Sequence, residues 1–94
     1  SLIELVFCTK KEITKEKIIS SFLKASKKES KGVIDVTEEK LVSIDFNHNP
    51  FSAIVDASLA CVIGKNMGKI SAWYDNEWGF SNRMCDLAKY IHKI

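Results

Sequence analysis

No apolar run in the 94-residue sequence approaches the roughly 20 residues that a bilayer-spanning helix needs, so no membrane-spanning helix is expected. Nor does a basic segment lead into a continuous apolar stretch near the start, so the pattern of a secretory signal is missing. Cysteine is scarce and widely spaced: Cys8, Cys61 and Cys85 offer neither a disulfide framework nor a Cys-x-x-Cys metal site. With no signal pattern, these thiols point to a reducing cytoplasm, each packing by default as a small hydrophobe. No neighbouring cation or helix start marks any of them as a catalytic thiolate. His48 and His92 have no second ligand at metal-binding spacing, and no metal site is expected. There is no Gly-x-Ser-x-Gly elbow, glycine-rich phosphate loop, internal repeat, linker or low-complexity tract.

What is present is ordinary soluble composition, 46% hydrophobic and 28% charged, in a length that suits one small domain close to the limit of independent stability. The net charge of +2 is too small to dictate a partner. Lysines nevertheless crowd one segment, with Lys10, Lys11, Lys15, Lys17, Lys24, Lys27, Lys28 and Lys31 facing only Glu12, Glu16 and Glu29. A nucleic-acid or phosphate face is one reading. The cluster holds no arginine, however, and Phe22 falls on the apolar stripe, so it reads as the solvated side of an amphipathic helix. No nucleic-acid partner is expected.

Along the chain, residues 2–8 carry apolar side chains on both faces and read as a buried strand. A helix follows, capped by Thr14, with Glu16 in its first turn, a stripe through Ile18, Ile19, Phe22 and Leu23, and Gly32 as the break. Strand candidates are GVIDV, LVSIDF (41–46), FSAIVDA (51–57), LACVIG (59–64) and KISAWY (69–74), with turns at NHNP and GKNMG. Phe80, Met84, Leu87, Ala88 and Ile91 mark a last helix. The expectation is an α+β fold: a mainly antiparallel sheet, a helix after the first strand, a C-terminal helix, and the helices on one face.

Two places invite a functional reading. Asp45 and Asp56, on different predicted strands, could form an acid pair, though strand aspartates more often serve edges, turns or interfaces. The run WYDNEWGF is denser in chemistry. Asp75 or Asn76 stands where a strand gives way to a helix, so either can be the N-cap, and Glu77 suits the first turn. Capping does not account for the aromatic rings or for the choice of asparagine at 76. A carboxamide presents a donor and an acceptor together and can pair with another amide, such as one carried by a flat ring.

The run AWYDNEWGFSNRMCDLAKYI resembles the closing segment of glyceraldehyde-3-phosphate dehydrogenases, typically SWYDNE(W/F)GYSNRVVDL. SLIELVFCTKKEITKEKIISSFLKAS is similar to that family's SVVDLT strand and following helix, and KGVIDVTEEKLVSIDFNHNPFSAIVDA resembles KGILGYTEEPLVSSDF…HSSIFDA. The resemblance covers essentially residues 1–94, in order, as the C-terminal portion of the catalytic domain and a little over a quarter of a family member. It implies that the Rossmann NAD-binding domain, the SCTTN cysteine nucleophile, its activating histidine and a phosphate-binding arginine belong to sequence outside this chain. The opening SLIELVFC, without methionine and already inside a strand-like run, fits a piece of a longer polypeptide.

For the parent, the resemblance implies a cytoplasmic, glycolytic, homotetrameric enzyme. It oxidises glyceraldehyde 3-phosphate with NAD, through a cysteine thioester that inorganic phosphate cleaves to an acyl phosphate. NADP as the cofactor is left open, as are an erythrose-4-phosphate dehydrogenase and a stand-alone α+β interaction module. None of Cys8, Cys61 or Cys85 takes the nucleophile's place, no catalytic residue is assigned, and the isolated chain is expected to be inactive. Asn76 matches the asparagine that hydrogen-bonds the nicotinamide carboxamide. Two positions depart from the pattern. Phe80 replaces the usual tyrosine, and Phe51, Ser52 and Ala53 stand for His-Ser-Ser in a strand expected near the subunit interface. The last helix is expected to pack against the nucleotide-binding domain.

Overall fold

A computed structural model describes residues 1–39 and 43–93. Five strands form one sheet: β1 (Leu2–Cys8), β2 (Ile34–Thr37), β3 (Ala53–Asp56), β4 (Cys61–Ile63) and β5 (Met67–Trp73). Helix α1 (Lys15–Lys27) follows β1, and α2 (Asn76–Lys93) follows β5. The α+β expectation is met, and the sheet is mostly antiparallel.

β5 organises the sheet. Along one edge it pairs antiparallel with the whole of β1, from Leu2 opposite Trp73 to Cys8 opposite Met67. It also pairs antiparallel with β4 through residues 67–69 and with β3 through residues 72–73. Between β3 and β4 runs a short 3-10 helix, Ala57–Leu59, capped by the Asp56 carboxylate. GKNMG makes the reversal into β5, with Gly64 at φ 68, a conformation open to glycine at no steric cost.

β2 pairs with β3 in parallel, the one exception among the pairings described in a mainly antiparallel sheet. The spacing allows it, because residues 38–52 lie between the two strands, too many for a tight hairpin. Within them, Ser43–Phe46 form a 3-10 helix where the LVSIDF strand was expected, while residues 41 and 42 of that stretch lie outside the described residues. The apolar content of SIDF buries one ring, Phe46, which needs no strand.

Alternation along the strands fixes the two faces. Leu5, Phe7 and Ile70 line an apolar crevice with Ile18 and Phe22 of α1. On the opposite face, Phe46 stacks on Trp73 with ring centroids 5.3 Å apart and planes 10° from parallel. The 3-10 segment thus lies against this second face. The buried core is small: Ile18, Phe46, Ile54, Val55, Ala57, Ala60, Ile70 and Ala72. Thr14 caps α1 as its sequence predicts, its hydroxyl accepting from the Lys17 N–H at 3.2 Å.

β1 is not the buried strand that its sequence suggests. Leu2, Ile3, Leu5 and Val6 are all exposed, because β1 stands at the edge of the sheet and pairs on one side only. The last helix is similar: Phe80, Met84, Leu87, Tyr90 and Ile91 are exposed along it.

Candidate functional site

The junction between β5 and α2 shapes an open groove of about 740 Å³. One wall is the segment carrying Ile44, Phe46, Asn47 and His48; the other is the start of α2, with Asn76, Glu77, Trp78 and Ser81. Tyr74 and Asp75 lie between them.

Asp75 is the N-cap, which decides between it and Asn76. Its main-chain oxygen accepts the first helical bond from the Gly79 N–H at 2.8 Å, and its Oδ1 accepts from the Trp78 N–H at 3.0 Å. Its Oδ2 reaches across the groove and accepts from the His48 N–H at 2.8 Å. His48 holds φ 61, the one non-glycine residue in the left-handed region among those described. That conformation costs a side chain roughly 1–2 kcal/mol, and the Asp75 bond offsets part of it. The His48 ring meets Trp78 edge-on, centroids 5.0 Å apart. The N–H groups of Trp78 and His48 hold the Asp75 carboxyl below its ordinary range.

Beneath the groove lies a second carboxylate with a structural duty. Asp56 is 2% exposed. Its Oδ2 accepts from the Trp73 indole N–H at 2.9 Å, and its Oδ1 accepts from the Ser58 N–H at 3.0 Å and from the Ser58 hydroxyl. Burial by itself would raise this carboxyl, but the donors from Ser58 and Trp73 outweigh it and hold it below the ordinary value. The bound indole is the ring on which Phe46 stacks, so Asp56 fixes the floor from which the His48 segment springs. Asp56 is therefore engaged by Ser58 and Trp73.

The first turns of α2 are seated closely. A Cβ on Gly79 would stand 3.0 Å from the Phe51 carbonyl oxygen, tighter than side chains ordinarily approach. Arg83 donates from Nη1 to the Ser52 hydroxyl at 3.2 Å and pairs with Asp86 at 3.0 Å. Phe51 and Ser52 thus precede β3 and receive α2, rather than lying within the strand.

Asn76, singled out from sequence, is exposed on the groove wall, and its side chain makes no hydrogen bond to another described residue. With capping done by Asp75, its donor and acceptor both remain available. Phe80 lies outside the groove lining and belongs to the exposed stripe of α2. Cys61 is half-buried, whereas Cys8 and Cys85 are exposed rather than packed, and all three are free thiols. His48 was missed as a groove residue by sequence reasoning. The NHNP turn signal marked its segment, but nothing local pairs it with Asp75, 27 residues away.

The family profile described as "Glyceraldehyde 3-phosphate dehydrogenase, C-terminal domain" matches residues 1–76. Among curated proteins, the chloroplastic glyceraldehyde-3-phosphate dehydrogenase A of Nicotiana tabacum is 46% identical over 91 residues, which are 97% of this chain and 23% of that protein. Glyceraldehyde-3-phosphate dehydrogenase 2 of Staphylococcus aureus is 47% identical over 91 residues, again 97% of this chain and 26% of the relative. The chain therefore spans about a quarter of the length of the curated relatives it matches.

Proposed function

The chain belongs to the glyceraldehyde-3-phosphate dehydrogenase family, and we propose that it is the C-terminal portion of that enzyme's catalytic domain. In this reading the parent oxidises glyceraldehyde 3-phosphate in the presence of inorganic phosphate, with NAD as oxidant, and works in the cytoplasm as a homotetramer. When bound, NAD supplies the nicotinamide ring that takes up a hydride. The residues described here orient that ring; they do not attack the aldehyde.

One observation carries the reading: Asn76 stands exposed at the groove with its carboxamide unengaged by any described residue, while its neighbour Asp75 does the capping. A carboxamide can pair with the ring's own carboxamide through both its donor and its acceptor. Such pairing fixes the ring's rotation and hence which of its faces meets the aldehyde. Trp78 and His48 give the groove aromatic sides against which a flat ring can rest.

The SCTTN sequence does not occur in these residues, and none of Cys8, Cys61 and Cys85 serves as the nucleophile. The 94-residue chain alone is accordingly inactive. Incubating it with glyceraldehyde 3-phosphate, phosphate and NAD and following NADH absorbance should give no more than the protein-free rate. Steady NADH formation by the purified chain would overturn the proposal.

A further inference from the structure

We propose that Asp75 is a positioning residue for cofactor binding: its carboxylate ties the two walls of the groove together and so sets how Asn76 is presented. The inference rests on the nicotinamide reading of Asn76 given above. Capping alone needs one carboxylate oxygen, and Oδ1 does that at the Trp78 N–H. Oδ2 is spent elsewhere, on the His48 N–H of the facing wall, at 2.8 Å.

Three features mark that second bond as more than a passing contact. It holds a non-glycine residue at φ 61, a conformation that loops seldom adopt without a partner to fix it. It brings the His48 ring edge-on to Trp78, two residues beyond Asn76 on the same helix turn. And it closes a continuous set of contacts, from Asp56 to Trp73, from Trp73 to Phe46, and through the 46–48 segment back to Asp75. Asn76 is the next residue after Asp75, so any change in the distance between the walls changes where its carboxamide points. With the second bond gone, the cap would keep α2 helical while the facing wall lost its register.

Asparagine at 75 separates the two duties. It caps a helix as well as aspartate does, yet with its oxygen on the Trp78 N–H it presents an NH2 where Oδ2 accepts from the His48 N–H, and two donors do not pair. Serine at 75 also caps but is too short to span the groove. The test uses the full-length enzyme that carries these residues, with Asp75→Asn, Asp75→Ser and Asn76→Ala compared for KM of NAD, kcat and melting temperature.

Asp75→Asn and Asp75→Ser should raise the KM for NAD about ten- to a hundredfold, with a melting temperature close to that of the parent. Unchanged KM in a folded Asp75→Asn enzyme, with Asn76→Ala weakened, would overturn the positioning role and leave the nicotinamide reading standing. Unchanged KM in Asn76→Ala would overturn both. If the Asp75 variants do not fold, hydrogen exchange at the His48 amide of the unaltered enzyme decides: protection is expected, and exchange at the rate of an open loop contradicts the bond.

Discussion

The two ends of this chain's sheet are built differently. Around the groove, several side chains have specific partners. Asp56 holds Trp73 and Ser58, Asp75 holds Trp78 and His48, Gly79 lets α2 approach the Phe51 carbonyl, and Arg83 reaches Ser52. Along the free edge of β1 and the distal turns of α2, by contrast, Ile3, Leu5, Val6, Leu87 and Ile91 stand exposed with no comparable ties. The first region is held together by bonds among these residues. The second has apolar surface of the sort that proteins cover with further polypeptide, which agrees with a chain about a quarter as long as its relatives.

The largest effect should come from setting the two regions against each other by core truncation. Ile54, 2% exposed at the sheet centre, should cost about 2–5 kcal/mol when changed to alanine. Leu87, 51% exposed on α2, should change the stability of this chain by no more than about 0.5 kcal/mol on the same substitution. Urea unfolding of both variants measures the difference, and similar losses would erase the distinction.

Next in size is the buried carboxylate. Asp56→Asn keeps the shape but weakens charge-assisted bonds to Trp73 and Ser58, at a cost of about 1.5–3 kcal/mol. The pH dependence follows from the lowered carboxyl of Asp56. A depressed folded-state pKa gives stability that is present above the ordinary value of 3.8 and lost as pH falls through the lower folded-state value. Acid titration of stability should therefore show a loss below about pH 4 that is smaller in Asp56→Asn. An identical acid profile in both proteins would show that the Trp73 and Ser58 bonds do not matter.

Gly79 gives the smallest effect and the finest probe. In an open helix, alanine for glycine is worth about 1 kcal/mol of stabilisation. Here the added Cβ meets the Phe51 carbonyl oxygen at 3.0 Å, so that gain should be absent and a loss of about 1 kcal/mol is expected. Thermal unfolding checks it. A rise in melting temperature would mean that α2 is seated more loosely than the groove account requires.

Much of this was legible in the sequence because local chemistry fixed it. Thr14 and Glu16 announce the start of α1, and the Phe80–Ile91 stripe announces α2. The glycines and Asn66 announce the reversal into β5, where the Asn66 side chain donates to the Thr9 carbonyl. Asn76 stood out through the family resemblance, while the sequence left the cap open between it and Asp75, and the structure gives that duty to Asp75. What the sequence hid depends on contacts between distant residues. The parallel pairing of β2 with β3 joins strands separated in sequence by residues 38–52, and no local period encodes it. The SIDF stretch looks like a strand by composition, yet its isoleucine is exposed and its phenylalanine lies flat on Trp73. β1 reads as buried on both faces because its sequence fits a central strand, and within these residues it has a neighbour on one side only.

The central claim is that Asn76 recognises the nicotinamide carboxamide. It is tested most directly by measuring how Asn76→Ala changes the binding of NAD and of an NAD analogue whose ring bears an acetyl group in place of the carboxamide. The full-length enzyme is used, and dissociation constants are compared. Losing a paired amide should weaken NAD about tenfold and the acetyl analogue clearly less, because the analogue has no NH2 to lose a partner. Equal weakening of both ligands, or none of either, would contradict the account.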